Sequence, residues 1–496
     1  MRSIYRATAI LSGSSIINIV VSLITAKVMA LCLQPAGYGY YGLLQNFVVL
    51  TSLMAGVGMA TGIVRLGAAA ASQGDQLVIV ALRRASWLIY AGMSVLAFLI
   101  LAIFRARLSQ WALGSETHAN TIVILAVPML LTVARNIQMG ILNAYHDVKA
   151  LAKCAIFCTV FGASTSIPLV LLWGVKGIVP AVVADGIVSC AVYRHFLRTS
   201  VDPVVMRPAF SETAKAAWSL LRFGGPFTAS MLLGTGVQLA LPMFVLHMLG
   251  ADSVGYYRAA TAISVGYLGF LVTAMGQDYY PRASAVSSQP AVLVRLINEQ
   301  HRLVMLVVVP MILGTLALVP YLVPLVYSVK FAHTAEILEW QLIGDLFKFS
   351  SWTMSYAILA RCGSSKFFVT ELISGVAMFG STWLGVRWFG LPGLGMGFLA
   401  AYVIYYIAVW LIICREVPLV WTASNKKMML TGVVAAFVIR VLPATPMAHF
   451  RTPVALVLTL AVGIPSALTI WRELMTAKEP STRYDSDQTI NTVATN

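Results

Sequence analysis

The sequence predicts an all-α, polytopic membrane protein made of two six-helix bundles in a parallel repeat, with two additional C-terminal helices and about 14 spans in all. Three observations predict it. Of 496 residues, 59% are hydrophobic and only 10% charged, with a mean hydropathy of +0.84, whereas a soluble domain carries roughly 25% charged residues. Apolar runs long enough to cross a bilayer recur along the whole chain. Finally, sequence features of the first half return in the second at a near-constant offset of 216 residues.

The spans fall at approximately 9–33, 39–69, 87–104, 119–142, 151–173, 177–197 and 222–248, then 254–278, 302–327, 334–360, 367–388, 391–414, 428–444 and 453–471. The first begins like a signal peptide, but it lacks a small-residue cleavage site and its apolar run is long enough to span. With the N-terminus placed in the cytoplasm and basic residues toward span ends (Lys153, Arg194, Arg222, Arg302, Arg387 and Arg440) counted with the adjoining segments, cytoplasmic segments hold 22 Lys and Arg, segments on the opposite side hold 7, and 5 are counted inside spans. Cytoplasmic loops carry the excess of positive charge in membrane proteins, so both termini are expected in the cytoplasm. The longest interhelix stretches, 70–86, 198–221 and 279–301, fall on that same side. The expected organisation is a bundle at 1–200, a cytoplasmic linker at 201–221, a second bundle at 222–414, two helices within 415–471 and a polar, disordered tail at 472–496.

The repeat rests on three matches. Leu33, Gly39, Tyr40 and Tyr41 of "LQPAGYGYYG" return as Leu249, Gly255, Tyr256 and Tyr257 of "LGADSVGYYR". Gly174 and Gly177 return as Gly390 and Gly393, and Ile141, Leu142 and Lys149 as Ile358, Leu359 and Lys366, now 217 apart. Six helices separate each pair, so the halves have the same orientation and are related by an axis along the membrane normal. Two such bundles suit an alternating-access transporter.

Several classes are disfavoured. A net charge of +16 suits nucleic acid in a soluble protein, but here the basic residues cap helix ends, where topology and an anionic membrane surface account for them. The six cysteines lie in or beside helices. Cys154 and Cys158 share a face without His or acidic companions, so they read as packing residues and no metal site is expected. There is no Gly-rich nucleotide loop and no paired-carboxylate motif, and no cofactor is expected. A membrane-embedded glycan polymerase or ligase is an alternative, yet it needs a substantial catalytic loop outside the membrane, and no outer loop reaches twenty residues.

Ionisable groups inside spans carry the functional expectation, because lipid exposure costs roughly 3 kcal/mol each on insertion scales. Lys27, Arg65, Arg135, Arg258 and Lys348 are the intramembrane cations. Arg258 follows a Gly-Tyr-Tyr turn and can snorkel to the outer interface. Arg135, beside Asn136 and well inside its helix, is harder to explain that way and is assigned to a cavity wall. In helix ten, Glu336 and Glu339 sit in the first turns, where they suit headgroups and the positive end of the helix dipole. Gln341, Asp345, Lys348 and Trp352 follow one stripe. Asp345 and Lys348 are placed to pair, either as a helix–helix clamp or as part of a wet substrate wall. Asp185 is the candidate carboxylate for coupling to a proton or sodium gradient. Cations outnumber unpaired acids, so the interior suits an anion, phosphate above all. A cation-coupled drug antiporter would need the opposite balance.

The stretches "LQPAGYGYYGLLQNFVVLTSLMAGVGMATGIVRLGA", "VGYYRAATAISVGYLGFLVTAMGQDYYPRAS" and "KFAHTAEILEWQLIGDLFKFSSW" resemble Wzx-type flippases. These are the O-antigen and lipid III (enterobacterial common antigen) translocases of the multidrug/oligosaccharidyl-lipid/polysaccharide exporter superfamily. In the third stretch the pattern is carried by Lys330, Phe331, Leu338, Trp340, Gln341, Leu342, Gly344, Asp345 and Lys348, and the likeness covers approximately residues 1–425. It implies a MATE-like fold and a cargo of undecaprenyl-diphosphate-linked oligosaccharide, whether O-antigen, lipid III or an exopolysaccharide repeat unit. That cargo moves from the cytoplasmic to the periplasmic leaflet of a bacterial inner membrane. Family members carry Lys or Arg at the position of Arg65. The last two helices and the tail depart from the shorter lipid III flippases. On this likeness Lys27, Arg65, Arg135, Asn136, Gln341, Asp345, Lys348 and Trp352 are the expected substrate residues. A polysaccharide polymerase and a chain-length regulator are the expected protein partners.

Overall fold

The computed structural model describes residues 2–145, 147–200, 208–266, 269–442 and 450–476, with the side chains of residues 2–16 and of scattered helical positions left aside. Among the described residues every regular element is helical. In the first half α1 (Arg2–Gly56), α2 (Met59–Ser72), α3 (Gln76–Ile103) and α4 (Arg105–Leu113) precede α5 (Ala119–Ile124), α6 (Ala126–Ala144), α7 (Val148–Trp173) and α8 (Ile178–Ser200). The second half contains α9 (Phe210–Leu249), α10 (Ala251–Gly266), α11 (Gly269–Ala274), a π-helical turn (Met275–Tyr279) and α12 (Tyr280–Ala285). It continues through α13 (Pro290–Val326), α14 (Thr334–Phe389) and α15 (Pro392–Cys414), and α16 (Ala423–Val441) and α17 (Arg451–Thr476) end the described chain.

Eight helical stretches among the described residues are long and apolar enough to cross a membrane, and the protein is a multi-pass membrane protein. Two of them, Ile17–Gly56 and Lys149–Ser200, hold 40 and 52 residues and break midway, at Gln34 and at Gly174. A crossing needs about 20 residues, so each stretch is long enough for two. The 334–360 segment is not among the eight stretches. The expected second span, 39–69, is not one helix. It breaks at Val57 and Gly58, where φ is +42° and +65°. Gly58 meets the backbone of Gly224 in α9, and a Cβ on Gly58 would stand 2.5 Å from the Gly224 carbonyl oxygen. The expected linker also differs: α9 begins at Phe210, where the Glu212 carboxylate accepts from the Ala209 N–H at 2.8 Å and caps the helix. Residues 201–207, 443–449 and the tail beyond 476 lie outside the described residues.

By compactness the chain resolves into two units. One holds Met1–Tyr267, Pro320–Gln341 and Phe368–Ile404; the other holds Leu268–Val319, Leu342–Phe367 and Tyr405–Asn496.

Within the first unit the repeat is written in the backbone. Gly174 and Gly390 end their helices with φ/ψ of 55°/−132° and 64°/−132°, and their N–H groups donate to Val170 and Val386, themselves 216 apart. Only glycine adopts such a conformation without steric cost. Gln34 and Gly250 are repeat mates as well, with φ of 59° and 85° and extended ψ. Beyond these turns, Gly39 of α1 and Gly255 of α10 face each other, a Cβ on Gly39 standing 2.7 Å from the Gly255 nitrogen. Mates in contact mark the place where a local twofold axis passes.

In the second unit α16 and α17 are anchored to α13. Asn298 donates to the Val420 carbonyl at 3.1 Å and accepts from the Thr422 N–H and the Asn425 amide at 3.0 Å. Arg302 pairs with Glu473 of α17 at 2.7 Å. Gly432 leaves room for Val309.

Candidate substrate site

Arg135 projects from the middle of α6, half-buried, with its guanidinium 3.1 Å from the amide oxygen of neighbouring Asn136. Asp185 of α8 lies within range of the Arg135 charge. Asp185 is half-buried and rests against Gly162 of α7, where a Cβ would stand 2.6 Å from the carboxylate. The sequence placed Arg135 and Asp185 separately; the fold makes them one polar constellation on three helices. A guanidinium there is a ready phosphate ligand, since charge-assisted hydrogen bonds contribute about 1.5–3 kcal/mol.

Lys27 is half-buried in α1 and donates to the Pro324 carbonyl at 3.0 Å, near the end of α13. Arg65 is exposed on α2. Gln341 is fully buried, donating to the Thr261 hydroxyl at 3.3 Å, and its carbonyl oxygen has no hydrogen-bond partner among the described residues.

Arg258 departs from the sequence expectation. Rather than reaching along α10 to the interface, it lies against α1 and donates to the Gln45 side-chain amide oxygen at 2.5 Å and to the Tyr38 backbone carbonyl at 3.4 Å. Its guanidinium stands 4.8 Å from the ring centres of both Tyr38 and Tyr41. Such a cation over two aromatic faces is held electrostatically. The space it fills is provided by Gly42, where any Cβ would overlap it. Gly42 is the repeat mate of Arg258, so one signal in the sequence did point here: an arginine and a glycine at equivalent positions of a repeat.

In the second unit, Lys348 and Asp345 of α14 form an ion pair at 3.1 Å, their side chains 6% and 0% exposed. Lys348 also lies 5.2 Å from the ring centre of Trp352, which is half-buried. Pairing and the aromatic face offset the desolvation of the charges. The first-turn acids part company: Glu336 meets His333 at 2.8 Å in the open, whereas Glu339 is 4% exposed rather than facing headgroups. No group of three His, Cys, Asp or Glu among the described residues is placed to hold a metal ion.

The model of a family described as "Polysaccharide biosynthesis protein" matches residues 28–336. The lipid III flippase of Escherichia coli (strain K12) is 22% identical over 433 residues, 84% of this chain and 99% of that protein, and the Shigella flexneri lipid III flippase gives the same figures. Among solved structures, the lipid II flippase MurJ in an inward closed conformation is similar with a TM-score of 0.70 at 14% identity, over 94% of this chain and 99% of that one. An inward-facing multidrug resistance MATE family transporter of the MOP superfamily gives 0.66 at 17% identity, over 83% and 96%. The helical, MATE-like architecture expected from the sequence is the fold of these structures.

Proposed function

The chain belongs to the polysaccharide biosynthesis protein family, and from that premise we propose that it is a flippase for an undecaprenyl-diphosphate-linked oligosaccharide. It carries the lipid from the cytoplasmic to the periplasmic leaflet of a bacterial inner membrane by alternating access. The observation that carries this reading is the match to the lipid III flippase along 99% of that protein's length. The protein is a transporter rather than an enzyme. The barrier it lowers is that of dragging a charged, hydroxylated headgroup through hydrocarbon, and the lever is a polar interior that replaces water around the headgroup.

Arg135 and Lys348 supply positive charge within the membrane, with Lys27 and Arg65 as further cations for the diphosphate. Asn136, Gln341 and Trp352 offer hydrogen bonds and an aromatic face to sugar. Asp185, beside Arg135, is the coupling group. A diphosphate bound at Arg135 screens that positive charge from Asp185, and the carboxylate then takes up a proton or sodium ion. Substrate movement is thereby tied to an ion gradient. A polysaccharide polymerase and a chain-length regulator receive the product on the far side, and both termini stay in the cytoplasm.

The test is whole-cell glycan display after Arg135→Ala or Lys348→Ala at matched protein levels. The reading expects loss of surface glycan, with lipid-linked oligosaccharide accumulating as it does in a strain lacking the protein. Normal display would remove those cations from the mechanism.

A further inference from the structure

A break in one helix of the second unit brings together aromatic side chains that sequence spacing keeps apart. Tyr279 and Tyr280 are adjacent, and in an α-helix adjacent side chains diverge by about 100°. Here they straddle the end of the π-helical turn Met275–Tyr279. Its wider i→i+5 turn reduces that divergence, and such turns concentrate at functional sites. Both rings reach Tyr356 of α14, with centroids 6.4 Å and 6.3 Å away. Tyr279 is fully buried and donates to the Thr353 carbonyl at 2.7 Å, fixing the turn to α14. Tyr280 and Tyr356 are left half-exposed, as is Trp352 one turn along α14. Gly276 lies beside the Tyr356 hydroxyl, where a Cβ would make an ordinary contact at 3.6 Å.

Along α14 the order is Lys348, Trp352, Tyr356, with Lys348 5.2 Å from the Trp352 ring centre. Eight residues of helix separate the lysine from Tyr356, about 12 Å. Beside Tyr280 the Asp278–Arg282 pair at 3.1 Å is exposed. A cation followed along α14 at one-turn intervals by the half-exposed rings of Trp352 and Tyr356, with Tyr280 beside Tyr356 and two of the three rings carrying hydroxyl groups, matches a headgroup with an anionic end and a sugar end. Sugar C–H faces pack on aromatic rings, while their hydroxyls pair with phenols.

Resting on the flippase reading, we propose that Tyr280, Tyr356 and Trp352 form a sugar-stacking shelf that receives the first sugar of the lipid-linked oligosaccharide. The shelf reads the ring as an amphipathic disc rather than by its individual hydroxyls, so it accepts different hexose derivatives. The diphosphate lies toward Lys348.

Two probes test it on the full-length protein in lipid nanodiscs: undecaprenyl diphosphate bearing one N-acetylglucosamine, and undecaprenyl diphosphate alone. Wild type is expected to bind the sugar-bearing probe more tightly. Tyr280→Leu and Tyr356→Leu should each weaken that binding roughly three- to tenfold while leaving the bare probe's affinity in place. Tyr356→Phe, which keeps the ring, should retain most of the discrimination. The bare probe, measured on the same samples, reports that each variant is folded. Equal wild-type affinity for the two probes would overturn the shelf, as would Leu variants that still discriminate or that weaken both probes alike. Binding of neither probe by wild type would overturn the flippase reading and the shelf with it.

Discussion

Lys348 and Asp345 show how a charge survives inside a membrane protein, and they set a prediction. Each is enclosed, each is the other's partner at 3.1 Å, and Trp352 presents its face to the ammonium. Removing one member takes the ion-pair partner from a buried charge, which costs roughly 3–5 kcal/mol, whereas removing both is often neutral. Lys348→Met alone should therefore lower the thermal unfolding midpoint of the purified protein in detergent, and Asp345→Leu/Lys348→Met should recover most of the loss. Glycan display read on the same variants separates two roles. A pure clamp regains display in the double variant, while a lysine that binds diphosphate does not. Helical spacing made the pair legible in the sequence. The burial of Glu339 was not legible, because it depends on what packs against the first turns of α14.

At the scale of elements, the helices were readable from their apolar runs, as were the breaks at Gln34 and Gly174, but the breaks inside expected spans were not. Val57–Gly58 interrupts the second span because backbone from α9 comes close at Gly224, more than 160 residues away in the chain. The π turn at Met275–Tyr279 likewise leaves no mark in hydropathy. Arg258 was misread for a related reason: position near a span end suggests snorkelling, and the hole at Gly42 is visible only once α1 and α10 are known to meet. That contact is open to test. Gly42→Leu drives a side chain into the space of the guanidinium and should destabilise by about 1–3 kcal/mol, the usual cost of overpacking. Arg258→Ala in the same chain should relieve part of that cost. Additive losses in thermal unfolding would show that the two positions are independent.

For the whole molecule, the repeat was the most legible feature, since its turns use glycines whose conformations recur at the same offset, 55°/−132° at Gly174 and 64°/−132° at Gly390. The cationic interior was legible as a list of residues, but not as constellations: Arg135 with Asp185, and Lys348 with Trp352, come together through helix packing. On the proposed function, these cations help to carry a lipid-linked oligosaccharide across the bilayer. The most direct measurement is made in proteoliposomes loaded in both leaflets with undecaprenyl-diphosphate-linked N-acetylglucosamine, under an imposed proton or sodium gradient and with a membrane-impermeant sugar oxidant outside. The inner-leaflet share is expected to become accessible with wild type and to stay protected with Arg135→Ala. An inner-leaflet share protected equally with wild type and with empty liposomes, under either gradient, would contradict it.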